Sequence, residues 1–178
     1  MISLTQERRL ARQAGRGDRR ALQLLYQEYS EELFAVAYRL TESSADARDV
    51  LHDVFLELPR TMRRFDRARP LRPWLCSVTM HAALEHLRSE RRRREVSIDS
   101  IRREIEVEET PEFPVLNSIT VERALSSLPE ELRTVVVLKE MEGYSHQEIA
   151  ELLDISRRTS EGRLYKARKL LRAKLFER

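Results

Sequence analysis

The chain has 178 residues, of which 41% are apolar and 35% are charged. That length suits one ordinary domain or two small ones, and the apolar fraction is sufficient for a packed core. We expect no membrane insertion, because no run of about 18 apolar residues occurs, and no secretion signal at the first residues. The single cysteine, Cys76, cannot form an intramolecular disulfide, which fits a reducing cytoplasm and argues against a zinc site.

Charge is unevenly distributed along the chain, although the net charge is only +3. Residues 60–94 sum to +8 and residues 157–178 to +7, which leaves −12 for the remainder. Two dense basic blocks predict two surfaces for a polyanion, and the acidic remainder predicts a surface for a different partner. The alternative is a set of solvated helix faces, which explains scattered charge better than dense blocks.

The composition predicts helices throughout, because glycine is scarce and good helix formers dominate. The first helix is expected over residues 4–14. Asp18 is a suitable N-cap for a second helix that continues to about Thr41, and Ser43 or Ser44 can cap a third. No alternating β-branched run predicts a strand, so we expect an all-α fold.

The third helix, expected from Ala45 to Leu58, has an apolar stripe and an opposite polar face. Pro59 should end or kink it. Leu56 lies in the middle of the polar face, among acidic residues. An exposed leucine there is either an accident, since single exposed apolar residues are common, or the centre of a docking surface for a basic protein.

Residues 60–72 are expected to form a basic loop that contains Phe65. A helix should then run from Pro73 to about Arg88 with apolar residues almost all round it. One strip of this helix is more polar and consists of Ser77, His81, Glu85 and Arg88, with Trp74 at its head. Residues 95–117 are acidic, contain two prolines and lose the hydrophobic period, so we expect a flexible linker between domains 1–94 and 118–178.

The second domain should hold four helices, over about 121–128, 130–141, 146–153 and from 157 onward. Ser145 and Glu148 form a capping-box pattern at the start of the third. The segment Asp154–Ser156 is predicted to be a tight turn. A capped helix of about eight residues, a three-residue turn and a longer basic helix predict a helix-turn-helix. The alternative is an ordinary helical hairpin with a basic tail.

The sequence around this motif resembles the last domain of the sigma-70 family of RNA polymerase sigma factors. The similar segments are Ala124–Glu130, Val137–Ala150 and Arg163–Arg168. The first half agrees independently. Asp46–Leu56 resembles the family's core-polymerase-binding helix, and two segments resemble its promoter-melting region, Arg72–Leu75 and Ala83–Arg88. The short two-domain layout is similar to the extracytoplasmic-function (ECF) group.

The resemblance implies three sets of contact residues. Core RNA polymerase would be bound by Asp46, Asp49, His52, Asp53, Leu56 and Glu57. The −10 element would be melted and read by Arg63, Arg64, Phe65, Arg67, Arg69, Arg72, His81, Glu85 and Arg88. The −35 element would be read by Arg157, Arg158, Thr159, Glu161, Gly162, Arg163, Tyr165, Lys166, Arg168 and Lys169.

The resemblance further implies an initiation factor rather than an enzyme, with no catalytic residue, cofactor or metal. Its partners would be core RNA polymerase, promoter DNA and, as often in the family, an anti-sigma protein. Two aromatic residues keep two interpretations each, since Phe65 can be a base contact or a core residue and Trp74 a core residue or a stacking platform.

This chain departs from the family pattern at several positions. Ser160 replaces an apolar residue that packs inward, so we expect weaker packing there. Glu161 replaces a basic residue on the reading face, where a carboxylate can accept from the cytosine amino group. Two other functions stay open at this point: a free-standing transcriptional regulator that binds duplex DNA without polymerase, and a helical protein-interaction module.

Overall fold

The computed structural model describes residues 4–66, 69–96 and 119–176, and within these ranges the chain is helical without strands. The predicted all-α fold is therefore confirmed. The chain divides into two compact units, residues 1–111 and residues 112–178. The expected linker, residues 95–117, lies almost wholly outside the described residues, so the proposed domain limits stay a prediction.

The described helices of the first unit are α1 (Leu4–Ala14), α2 (Arg19–Thr41), α3 (Ser44–Thr61) and α4 (Leu71–Val96). Their ends follow from local capping. The Asp18 carboxylate accepts a hydrogen bond from the Ala21 backbone N–H at 2.9 Å and starts α2. Ser43, and not Ser44, caps α3 by accepting from the Asp46 N–H at 3.1 Å. Both hydroxyl and carboxylate caps satisfy backbone donors that a helix start would otherwise leave without partners.

The end of α3 differs from the expectation. The helix continues past Pro59 to Thr61 and then into a 3₁₀ turn over Met62–Arg64, so the expected end at Leu58 and the expected loop from residue 60 were wrong. Proline removes one helical hydrogen bond. The turn stays helical because Leu58 and Met62, on either side of the proline, are both fully buried, and that packing outweighs one lost bond.

Helix α4 is longer than the hydrophobic pattern predicted, because it begins at Leu71 and continues to Val96. Its last turns contain few apolar residues. They carry ion pairs between neighbouring turns instead, Arg88 with Glu85 at 3.3 Å and Arg93 with Glu90 at 2.8 Å. Pairs at this spacing stabilise a helical segment that buries little apolar surface.

The core of the first unit lies between α2, α3 and α4. Its largest fully buried side chains are Leu25, Leu33, Leu40, Val50, Leu58, Met62, Leu71, Leu75 and Met80. A buried hydroxyl secures α1 to this core, since Tyr29 on α2 donates a hydrogen bond to Glu7 at 2.7 Å. Burial and that carboxylate raise the pKa of Tyr29 well above its usual value.

The described helices of the second unit are α5 (Ile119–Ser126), α6 (Glu130–Val136), α7 (His146–Leu153) and α8 (Arg157–Phe176). Helix α6 continues directly into a π-helical turn, Val137–Met141, so the helix predicted over 130–141 is present with a change of winding. Gly143 follows with φ of 77°, a left-handed conformation that glycine adopts without steric cost. The core of this unit includes Val135, Leu138, Ile149, Leu164 and Ala167.

Candidate nucleic-acid interface and protein-docking face

The start of α7 has both halves of the predicted capping box. The Ser145 hydroxyl accepts from the Glu148 N–H at 3.2 Å, and the Glu148 carboxylate accepts from the Ser145 N–H at 2.7 Å. Hydrogen bonds to the Glu148 carboxylate from the Ser145 hydroxyl and from the Ser145 backbone N–H lower the pKa of Glu148. The start of α7, the first helix of the motif, is therefore fixed by hydrogen bonds between residues only three positions apart.

The turn between α7 and α8 is as tight as predicted. Asp154 takes a left-handed conformation with φ of 53°, and the Ile155 N–H donates to the Ala150 carbonyl at 3.0 Å. Ser156 then caps α8 by accepting from the Thr159 N–H at 3.0 Å. The chain thus reverses in three residues, and α7 and α8 form a helix-turn-helix.

Ser160 lies on the inward side of α8 and is 0% exposed. Its hydroxyl forms a hydrogen bond of 2.9 Å with Nδ1 of His146, the first residue of α7. A buried hydroxyl without a partner would be costly, but here the partner comes from the facing helix. The polar residue replaces apolar packing with a specific bond between the two helices of the motif.

The outward face of α8 lies opposite its buried side chains Ser160, Leu164 and Ala167. The exposed residues from the predicted DNA-reading set are Arg157, Arg158, Thr159, Glu161, Gly162, Tyr165, Lys166, Arg168 and Lys169. Tyr165 is 73% exposed, which is unusual for an aromatic side chain without a bound partner. The face combines cations, one carboxylate, one aromatic ring and a glycine.

Three arginines of this set are engaged by carboxylates. Arg157 donates to Glu161 one turn further along α8 at 2.9 Å. Arg163 donates to Glu131 of α6, and Arg168 donates to Glu140 of the π-helical turn, both at 2.6 Å. Arg163 is only half-exposed. The last two pairs tie α8 to α6 and to the π-helical turn that follows α6, so these guanidinium groups hold the position of α8.

A second surface lies on α3, where Leu56 is 64% exposed. Four other residues of the predicted polymerase-binding set surround it and are exposed: Asp49, His52, Asp53 and Glu57. Asp46 differs because it is half-buried, with its carboxylate 3.4 Å from Nε2 of His86 on α4. The structure thus brings five of the six residues together on one open face and directs the sixth toward α4.

The two aromatic residues of the predicted −10 region pack against each other. The rings of Phe65 and Trp74 have centroids 4.8 Å apart, and Phe65 is only 6% exposed. In this conformation Phe65 is a core residue, and its ring offers no open face for a base. Trp74 is half-buried beside it.

The basic residues near this aromatic pair differ in how they are held. The Arg72 guanidinium donates to Glu32 of α2 at 2.8 Å, and Arg63 donates to the Gly15 carbonyl at 3.3 Å. Arg69 lies 3.8 Å from Asp66. Arg64 is exposed, and Arg67 lies outside the described residues.

The polar strip of α4 carries the remaining −10 candidates, His81, Glu85 and Arg88, and all three are exposed. Partial burial and the nearby Arg88 lower the pKa of His81. The pKa of Glu85 is also lowered, because Arg92 and Arg88 both donate to its carboxylate. At neutral pH the strip therefore presents an uncharged imidazole beside a network of two arginines and one glutamate.

Sequence reasoning missed the partners that position these side chains. Glu131, Glu140 and Glu32 were not singled out as contacts of predicted site residues, and His146 was not singled out as the partner of Ser160. Each lies 14 to 40 residues from the side chain it holds, so no local spacing reveals the pairing.

Among the described residues, no helix is long and apolar enough to cross a membrane.

The fold and these surfaces define a two-unit helical DNA-binding protein of the helix-turn-helix class. Residues 25–93 match the family model for sigma-70 region 2, and residues 118–171 match that for sigma-70 region 4. The chain is 30% identical over 159 residues to the ECF RNA polymerase sigma factor SigM of Mycobacterium tuberculosis, covering 85% of this chain and 76% of that protein. The chain belongs to the sigma-70 family of RNA polymerase sigma factors, in the ECF group.

Two further likenesses cover nearly the whole chain. The RNA polymerase sigma-H factor of Pseudomonas aeruginosa is 28% identical over 183 residues, with 96% of this chain and 94% of that protein aligned. The structure of CnrH in complex with the cytosolic domain of CnrY shares 27% identity and a TM-score of 0.52, and covers 96% of this chain and 97% of that chain. As a sigma factor, the protein acts in transcription initiation with RNA polymerase and promoter DNA.

Proposed function

We propose that this sigma factor reads the −35 element with α8 and melts and reads the −10 element with the first unit. The observation that supports the first role best is the outward face of α8. Its cations and Tyr165 are exposed directly opposite the buried side, and Ser156 caps the helix at the end that would enter the major groove.

For the −35 element we assign the contact residues two different tasks. Arg158, Lys166 and Lys169 are exposed and would meet bases or phosphates directly. Arg163 and Arg168 would position α8 through Glu131 and Glu140, and they reach phosphates only by exchanging those carboxylates. The set of residues that contact −35 DNA directly is therefore smaller than the set expected from the sequence.

For the −10 element we propose that the exposed strip of α4 and the arginines near its start meet the unpaired strand. His81, Glu85 and Arg88 lie on one open face, where an uncharged imidazole and guanidinium groups can bind bases and phosphates. A base contact by Phe65 requires its ring to leave Trp74, so we propose that Phe65 instead supports the segment before α4.

For the polymerase we propose that the acidic face around Leu56 docks on the clamp helices of the largest subunit. An exposed leucine ringed by carboxylates suits a partner with a basic rim and an apolar pocket. Since CnrH was solved with the cytosolic domain of CnrY, we also propose that an anti-sigma protein binds this chain and competes for its surfaces. The protein would work in the cytoplasm, where RNA polymerase acts.

In vitro transcription with purified core polymerase tests this proposal. The full chain plus core should initiate at discrete positions on a genomic fragment library, and core alone should not. Mapping the transcript starts would give the two promoter elements. No promoter-dependent initiation on any fragment would refute the proposal.

Gel shifts separate the proposal from a free-standing regulator. The sigma function predicts weak duplex binding by the protein alone and strong binding only with core polymerase. Tight sequence-specific binding without core would favour the regulator. A protein-interaction module would instead bind its partner with little salt dependence, whereas several phosphate contacts make affinity fall steeply with salt.

A further inference from the structure

Gly162 is the sixth of the 20 residues of α8, inside a helix that carries large side chains on its outer side. Glycine is the least favourable residue in a helix interior after proline, because it loses the most backbone freedom on folding. A glycine at such a position therefore needs a reason from the fold or from a bound partner.

The fold supplies no such reason. Gly17 and Gly143 have φ of 81° and 77°, which other residues rarely adopt, and a Cβ on Gly15 would lie 3.4 Å from Cβ of Met62. Gly162 has no left-handed φ, and a Cβ built on it meets no heavy atom within 4 Å. A Cβ at this position would fit the protein without a clash, so the fold itself does not require a glycine here.

Gly162 lies at the centre of the outward face, opposite Ser160, Leu164 and Ala167. The residues one turn away on either side, Arg158 and Lys166, are exposed and longer. Tyr165, three residues further along α8, is 73% exposed. The result is a notch of bare backbone, which we call the Gly162 notch, surrounded by cations and one aromatic ring.

We propose that the Gly162 notch receives the 5-methyl group of a thymine in the major groove of the −35 element. This proposal rests on the proposed role of α8. The thymine methyl is the apolar group that protrudes into the major groove, and the notch offers the glycine Cα with open space above it. The cations near the notch would bind hydrogen-bond acceptors of neighbouring bases and DNA phosphates, and that binding does not require a notch.

The test uses holoenzyme assembled from the full chain and core polymerase. The probe is a promoter recovered by mapping transcript starts, in which each −35 thymine is replaced singly by deoxyuridine, so that only one methyl group is removed. We expect about a fourfold loss of affinity at one thymine, the size expected for one buried methyl group, and less than a twofold change at the others. With Gly162→Ala, the thymine and deoxyuridine probes should bind equally.

The stability of Gly162→Ala excludes unfolding as an explanation. Alanine should raise the Tm of the full chain, because it favours the helix and meets no neighbour. We therefore expect a more stable protein with weaker binding to the unmodified promoter. The matched control is Val121→Ala on α5, an exposed position where alanine also favours the helix, which should keep the fourfold thymine preference.

Three results would overturn the proposal: the first two contradict only the Gly162 notch, and the third also contradicts the proposed role of α8. If affinity depends on the −35 sequence but no deoxyuridine matters, or if Gly162→Ala keeps the thymine preference, the Gly162 notch does not read a methyl group. If holoenzyme affinity is independent of the −35 sequence altogether, the proposed role of α8 fails together with the notch.

Discussion

Leu56→Asp tests the docking face on α3 at its centre. The side chain is 64% exposed, so the substitution should leave the core of the first unit unchanged. Complete burial of a leucine stabilises a contact by about 1.5–3 kcal/mol, and the exposed fraction corresponds to roughly 1–2 kcal/mol of that at an interface. This loss raises the Kd for core polymerase by roughly 5- to 30-fold. An aspartate that faces an apolar pocket raises the Kd further.

The assay is titration of a fluorescently labelled full chain with core polymerase, accompanied by thermal unfolding of each variant. Leu24→Asp is the matched control. Leu24 is a leucine on α2 that is 44% exposed and does not belong to the predicted polymerase-binding set. The reasoning is refuted if Leu56→Asp changes Kd by less than twofold, or if Leu24→Asp weakens binding equally. A lowered Tm for Leu56→Asp alone would instead show that the side chain supports the fold.

Three further predictions concern the helix-turn-helix. Ser160→Ala should lower the free energy of unfolding by about 1 kcal/mol, because it removes the hydrogen bond to His146. Measured by urea denaturation, the same substitution in the His146→Ala background should lower the free energy of unfolding by less. Equal losses in both backgrounds would mean that the hydrogen bond contributes nothing. Glu161→Gln should shift selection from cytosine toward adenine at one −35 position, because an amide pairs with adenine and a carboxylate accepts from cytosine; unchanged selection from a randomised −35 library would remove Glu161 from the reading face. Glu148→Gln should make the stability of the protein depend less on pH in acid. Because the pKa of Glu148 is lowered in the folded protein, the ionised carboxylate stabilises the fold above pH 4.5, the ordinary pKa, and this contribution is lost as pH falls through the folded pKa. Identical acid unfolding curves for the variant and the unsubstituted protein would contradict the role of the capping box.

Local features of the structure were predictable because they depend on residues close in sequence. The bounds of α1, the cap at Asp18, the capping box at Ser145 and the turn at Asp154 all agree with expectation. Each is decided within about four residues by side-chain to backbone hydrogen bonds, which the order of residue types specifies directly. The helix-turn-helix could therefore be predicted from the residues alone.

Expectations were wrong where packing outweighed local preference. Pro59 did not end α3, because the buried side chains of Leu58 and Met62 hold the last turn. The hydrophobic period could not predict the last turns of α4, which ion pairs on the helix surface support. For α3 the stabilising free energy comes from core packing that a local pattern does not encode. For α4 it comes from ion pairs three residues apart, which the hydrophobic period does not include.

The sequence alone determined that this is an all-helical, charge-segregated protein with a capped helix-turn-helix, because helix period, caps and charge are local properties. Only the tertiary structure decided how the surfaces are arranged. It placed Phe65 against Trp74, tied Arg163 and Arg168 to carboxylates far away in sequence, and gave Ser160 a partner in His146. The physical reason is that a side chain's exposure and partners depend on which helices the fold brings within a few ångströms of it.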